Sequence, residues 1–287
     1  MKKIIVISGA TASGKTSAAV DMCKKENGEI VSCDSRQVYK YLDVGANKEG
    51  VLLENGLREI SGIVQHITDL IEPSETYSAA EFVRDADAAI EKIAKKGKTP
   101  IVAGGTGFYI KALLYGLNEM PAADENLRKE LKLKTAQEQY DALLKLDPQS
   151  AQKNEKNPQR LLRALEVNIL SGKTMSEHFK PTSPRYDFKH YCISVENKIL
   201  YERINKRCEN MFLKGMIEET QKVLQMGFEK NCPALSAIGY RHIVRYLDGE
   251  ISKNEALEKF SRDTRHYAKR QNTWFRRQPD TEFIKGF

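Results

Sequence analysis

Four apolar residues, Ile4 to Ile7, run almost directly into Gly9-Ala10-Thr11-Ala12-Ser13-Gly14-Lys15-Thr16, the pattern G-x-x-x-x-G-K-[ST]. This junction constrains the fold more than any other feature, because the pattern works as a turn from a buried strand into a helix. The glycines let backbone N–H groups face phosphate oxygens, the helix over Lys15 to Lys25 points its positive end at them, and Lys15 adds a mobile charge. A bare glycine turn is the alternative, and the strand before and helix after argue against it. The expected ligand is a diphosphate or triphosphate.

At 287 residues the chain can bury a full core. Short apolar strands at Ile4–Ser8, Ile30–Ser32 and Pro100–Ala103 alternate with helices, and Phe82, Val83, Ala86, Ala89, Ile90 and Ile93 recur at helical spacing. The expected fold is therefore α/β, a P-loop NTPase-like parallel sheet flanked by helices. From Met120-Pro121 the pattern turns purely helical, at Asp124–Leu133, Gln137–Leu146 and Pro158–Leu170. After Pro181 to Pro184 a strand over His190–Val195 returns to the sheet. The expected organisation is a core of residues 1–120 and 190–287 with a small all-helical insertion, 121–189. Long helices are expected over Ile199–Met226, Pro233–Asp248 and Lys253–Arg277, then a strand at Glu282–Ile284.

The net charge of +7 allows a polyanionic partner. Five scattered cysteines without a C-x-x-C pair read as reduced cytosolic thiols, and the five histidines lack metal-ligand spacing. The apolar run in Met1 to Ile7 is too short for a signal peptide, and no stretch is long enough to span a membrane.

Two further segments fall at strand ends, where open α/β sheets bind ligands. Asp34, in Cys33-Asp34-Ser35-Arg36-Gln37-Val38-Tyr39, is placed to accept a proton from a nucleophile, or merely to cap the next turn. Thr106, in Gly104-Gly105-Thr106-Gly107, offers a hydroxyl from the same edge. Gln159, Arg163 and Glu166 share a helix face that reads as solvated. Arg262, Arg265, Lys269 and Arg276, with Arg270 and Arg277 beside them, form a stripe suited to a phosphate backbone. Phe260, Tyr267 and Trp274 at seven-residue spacing read as core rather than as a base-stacking surface.

Taken together, residues 9–16, Asp34 to Tyr39, Tyr77 to Phe82 and Gly104 to Tyr109 resemble the tRNA dimethylallyltransferase family. Pro-Gln-Arg-Leu-Leu-Arg-Ala-Leu-Glu-Val (158–167), Ala-Ile-Gly-Tyr-Arg (237–241) and Ala-Lys-Arg-Gln-Asn-Thr-Trp-Phe (268–275) follow in the family's order. The resemblance implies transfer of a dimethylallyl group from dimethylallyl diphosphate to N6 of the adenosine 3′ of the anticodon, in tRNAs reading codons that begin with U. It implies that Lys15 and Thr16 hold the diphosphate, Thr16 with Mg²⁺, and that Asp34 is the general base. Thr106 and Arg241 are the implied stabilisers of the leaving group. The implied tRNA contacts are Asp34, Ser35, Arg36, Gln37, Thr106, Arg128, Gln159, Arg160, Leu161, Leu162, Arg163, Gly239, Tyr240, Arg241, Lys269, Arg270, Gln271 and Trp274. The adenosine is expected to flip into a channel, the insertion to grip the anticodon stem-loop, and the protein to be a cytoplasmic monomer.

Gly45-Ala46-Asn47-Lys48, Val64-Gln65-His66 and Asn154-Glu155-Lys156-Asn157-Pro158 depart from the family's usual residues, and the 45–66 stretch is assigned no role. A zinc finger found in eukaryotic members is absent from the sequence, so a bacterial-type member is expected. Two other readings compete: a small-molecule kinase, for which no arginine-rich lid is found, and a nucleotide-switched RNA-binding protein, for which the guanine-reading Asn-Lys-x-Asp motif is missing.

Overall fold

The computed structural model describes residues 2–179 and 183–286. The chain opens with β1 (Lys3–Gly9), α1 (Lys15–Glu26) and β2 (Gly28–Ser32), then β3 (Val51–Leu52), β4 (Arg58–Ile60) and β5 (Ile63–His66). Next come α2 (Ala79–Lys95), β6 (Thr99–Gly104) and α3 (Gly107–Tyr115). Five helices follow: α4 (Glu125–Lys132), α5 (Ala136–Leu146), α6 (Pro148–Asn154), α7 (Pro158–Ser171) and α8 (Met175–His178). The chain ends through β7 (Asp187–Ser194), α9 (Asn197–Leu213), α10 (Met216–Gln225), α11 (Tyr240–Leu247), α12 (Lys253–Phe275) and β8 (Thr281–Lys285).

Among the described residues the strands form one sheet in the order β3-β4-β5-β2-β6-β1-β7-β8. From β5 to β8 the pairing is parallel, while β3–β4 and β4–β5 are antiparallel. Strand β1 is buried at every position after Lys3, as a central parallel strand covered on both faces must be. Its neighbours are β6 on one side and β7 on the other. That arrangement opens a crevice at the C-terminal edge beside β1, where the glycine-rich loop lies.

The expected strands and the expected helix of Phe82 to Ile93 are present, and α2 starts on a capping box between Ser78 and Glu81. The structure adds to or corrects the expectations at four places. The antiparallel strands β3 to β5 occupy the stretch left without a role. The helix expected over Ile199–Met226 is interrupted between α9 and α10, because Gly215 takes a left-handed φ of 95°. The helix expected over Pro233–Asp248 is helical only from Tyr240. The return to the sheet starts at Asp187, ahead of His190, and Pro181 lies outside the described residues.

The chain divides into two compact units, 1–114 with 184–287, and 115–183. In the second unit Leu131, Leu143, Ala151, Leu161, Ala164 and Leu165 form a core of their own. No helix among the described residues is long and apolar enough to cross a membrane.

Candidate functional site

A cavity of about 290 Å³ opens where β1, β2 and β6 end, lined by Lys15, Thr16, Asp34, Ser35, Arg207 and Tyr267 among others. Helix α1 begins after Gly14 without a side-chain cap, so its first N–H groups remain available to an anion. Ser13 Oγ is buried in the same loop with no partner among the described residues. Lys15 Nζ donates to the Ala10 carbonyl at 2.6 Å. Burial first and the Arg207 charge second bring the Lys15 ammonium down to about 8, with the Asp34 carboxylate pulling against both.

Asp34 accepts the Arg36 N–H on Oδ1 at 2.8 Å while lining the cavity, so it both shapes its turn and faces the loop. Arg36 reaches the Pro233 carbonyl at 3.2 Å. Thr106 Oγ1 accepts the Ser35 N–H at 3.1 Å, which leaves its hydroxyl proton to donate at the strand edge. Gln37 also lines the cavity but is held from several sides. Its Oε1 accepts from Ser32 Oγ at 2.9 Å and Gln65 Nε2 at 3.2 Å, and its Nε2 donates to the Asn47 carbonyl at 3.2 Å.

Several residues expected to meet RNA have other work. Gln271, buried on α12, accepts the Thr11 N–H at 2.8 Å and donates to the Gly105 carbonyl at 2.8 Å, bracing the phosphate loop against the Gly-Gly turn. Tyr240 is 1 % exposed and donates to Glu219 at 2.6 Å; Gly239 is buried against Met216 and Phe260. Tyr240 nonetheless lines the cavity. Arg241 pairs with Asp263 and, like Thr106, is not among the residues lining the cavity.

Arg207 lines the cavity, reaching in from α9; burial lowers its pKa, with Cys208, Asp34 and Glu49 acting the other way. It was missed in the sequence although a signal exists, since it flanks the buried stripe Leu200, Ile204, Cys208 and Met211. Tyr267, read as core, lines the cavity with its phenol pushed up to about 12 by burial and by Asp34.

On the outer face of α12, Lys269 and Arg270 are exposed, Arg270 lying 5.8 Å from the Tyr267 ring centre. Arg265 is turned aside to Asn205 at 2.6 Å. Trp274 packs on Gly107, where a Cβ would come within 2.2 Å of the indole; only glycine permits this approach. Lys111, Lys269, Arg270, Trp274 and Arg277 line one basic groove.

Within the helical unit, Glu166 is fully buried, contrary to the solvated face expected of it. Arg128 binds it through Nε at 2.8 Å and Nη2 at 3.1 Å, and Arg163 joins through Nη1. Arg163 Nη2 also donates to the Pro121 carbonyl at 2.7 Å. Gln159 and Arg160 are exposed, Leu162 is partly buried, and Leu161 is in the core and closed to a partner.

No cluster of three or more His, Cys, Asp or Glu that could hold a metal occurs among the described residues. A cation here would draw on the Thr16 hydroxyl, which lines the cavity, with most of its oxygens from a ligand and water.

The model of the IPP transferase family matches residues 37–278, and that of isopentenyl transferase matches residues 2–61. A tRNA dimethylallyltransferase of Endomicrobium trichonymphae is 68 % identical over 281 residues, covering 98 % of this chain and 94 % of its own. One from Carboxydothermus hydrogenoformans is 42 % identical, covering 97 % and 90 %. The crystal structure of a tRNA isopentenylpyrophosphate transferase from Bacillus halodurans superposes with a TM-score of 0.72 at 34 % identity, covering 99 % of this chain and 90 % of its own. A eukaryotic dimethylallyltransferase described as acting on tRNA superposes at 0.83 with 26 % identity, covering 99 % and 74 %.

Proposed function

The chain belongs to the IPP transferase family, and on that premise we propose that it moves a dimethylallyl group from dimethylallyl diphosphate to tRNA, at N6 of the adenosine 3′ of the anticodon in tRNAs reading codons that begin with U. One observation carries this reading: Lys15 of the phosphate loop and the carboxylate of Asp34 line one cavity, and the Asp34 charge is felt at Lys15. The N6 lone pair attacks C1 of the allyl group and the C1–O bond breaks. Asp34 takes the N6 proton, and diphosphate leaves. Positive charge on the loop and at Arg207 meets the negative charge growing on the leaving oxygens, which accelerates the step only because that charge is greater in the transition state. The Thr16 hydroxyl would hold Mg²⁺, which would supply charge neutralisation to the diphosphate when bound.

The adenosine reaches Asp34 by leaving its stack. Thr106, fixed on the Ser35 N–H, donates to the base or to the departing oxygen. The groove of Lys111, Lys269, Arg270 and Arg277 takes backbone phosphates. The helical unit grips the anticodon stem-loop through Gln159, Arg160 and the outward edges of Arg128 and Arg163. We place the protein in the cytoplasm with its tRNA, as a monomer. Incubation with labelled dimethylallyl diphosphate, Mg²⁺ and an unmodified anticodon stem-loop should add label to that one adenosine. Phosphorylation of a small acceptor from ATP, with unlabelled RNA, would replace this reading by a kinase.

A further inference from the structure

Helix α12 serves two surfaces with neighbouring stripes. Phe260, Thr264, Tyr267 and Gln271, at helical spacing, form one stripe, and all four line the cavity. His266, Lys269, Arg270 and Arg277 form the next stripe and line the basic groove. At about 3.6 residues per turn, Tyr267 is the member of the cavity stripe nearest the groove, with Arg270 about 60° round the helix from it. The Arg270 guanidinium accordingly lies over the Tyr267 ring, 5.8 Å from its centre.

Tyr267 is therefore shared by cavity and groove. Gln271, about 6 Å further along the axis at about 1.5 Å per residue, braces the phosphate loop through the Thr11 N–H. The Tyr267 phenol also senses the Asp34 carboxylate and the Arg36 cation. The ring thus stands one turn from the phosphate loop, in the field of the proposed base. The other aromatic residues of the lining are committed elsewhere. Tyr240 is 1 % exposed with its hydroxyl on Glu219, and Phe260 is 4 % exposed and stacked on Phe212. Tyr267 is only half-buried. A base drawn out of its loop loses its stacking partners, and a half-open aromatic ring at the mouth of the cavity replaces them.

We propose that the acceptor adenine stacks on the ring of Tyr267, which holds its N6 amine at Asp34, while Arg270 braces the ring from the groove that takes the backbone. This deepens the reading above, and rests on it, by giving the flipped base its binding surface. The seven-residue spacing of Phe260, Tyr267 and Trp274 then holds two kinds of residue, with Phe260 in the core and Tyr267 at the site. The ring, rather than the hydroxyl, is the working group.

The test compares wild type with Tyr267→Phe, Tyr267→Leu and Tyr267→Met. Each is titrated, without donor, with an anticodon stem-loop and with the same stem-loop made abasic at the acceptor position; transfer from dimethylallyl diphosphate to the intact RNA is then measured. Tyr267→Leu and Tyr267→Met should bind the intact stem-loop about tenfold more weakly than wild type, on the scale of one lost base–aromatic stack. With the abasic stem-loop the same variants should match wild type, because the stack is already gone. Tyr267→Phe should bind both RNAs as wild type does and transfer at a comparable rate. Tyr267→Met, unbranched and long, keeps the test valid if the leucine variant does not fold. Equal weakening toward intact and abasic RNA, wild-type affinity in a folded leucine or methionine variant, or a phenylalanine variant as impaired as these, overturns the stacking role. A wild type that transfers nothing to the intact stem-loop defeats the prenyl-transfer reading itself.

Discussion

Lys15 titrates where its task can be watched. Its pKa, brought down to about 8 by burial and by Arg207, means that the free protein loses this charge as pH rises through 8. A bound diphosphate restores the charged form, so binding takes up a proton above that pH and none below it. Affinity for the prenyl diphosphate should be flat in Lys15's contribution below pH 8 and fall above it, and Lys15→Arg should flatten the decline. Calorimetric titrations across pH 7 to about 10, in buffers of differing ionisation heat, test this. Arg207 and Arg241 make a second contrast. Arg207→Ala should cost roughly a hundred- to a thousandfold in kcat, whereas Arg241→Ala, whose partner Asp263 lies outside the cavity, should stay within a few-fold by steady-state kinetics. Asp34 and Lys15, which line the cavity, were legible because each sits in a short motif at a strand end. Arg207 was not, because a single arginine on an amphipathic helix looks like any solvated charge until the fold turns it inward. Tyr240 and Gln271 line the cavity, and what the sequence did not show is that each also closes a strut between distant loops.

At the scale of elements, the parallel strands were readable as unbroken apolar runs, and α2 as an amphipathic helix. The β3–β5 hairpins escaped although Asn55-Gly56 and Ser61-Gly62 are turn pairs between them; strands of two to four residues carry too little periodicity to stand out. The far end of β2 shows how the sheet holds charge without function. Glu29 is buried and accepts from His66 at 2.8 Å, Lys96 at 2.9 Å and Lys98 at 2.9 Å. Burial alone would raise its pKa, but these hydrogen bonds prevail and hold it at about 2, below the ordinary 4.5. The stabilisation is complete above pH 4.5 and disappears as pH falls toward 2, a loss on the order of 3 kcal/mol. Denaturant titrations should show Glu29→Gln less stable than wild type at pH 7 and the difference narrowing between pH 4.5 and 2.

At the scale of the whole molecule, a modest net charge of +7 becomes meaningful once Lys111, Lys269, Arg270 and Arg277 are gathered on one groove. Arg270→Ala should weaken stem-loop binding and reduce the slope of log K against log salt by about one; an unchanged slope places Arg270 away from the RNA. Sequence alone showed a sheet interrupted by helices, because the change from alternating to purely helical pattern is abrupt at Met120. It could not show that the Glu166 of α7 turns inward, since that depends on α4 packing against α7 and bringing Arg128 to join the neighbouring Arg163. The claim on which everything else rests is that Asp34 takes the acceptor's proton in the cavity that holds the diphosphate. Single-turnover transfer by Asp34→Ala, measured beside its equilibrium binding of the stem-loop, tests it most directly. The account predicts a rate lower by roughly a hundred- to ten-thousandfold with RNA affinity changed by less than about threefold; wild-type turnover in that variant would contradict it.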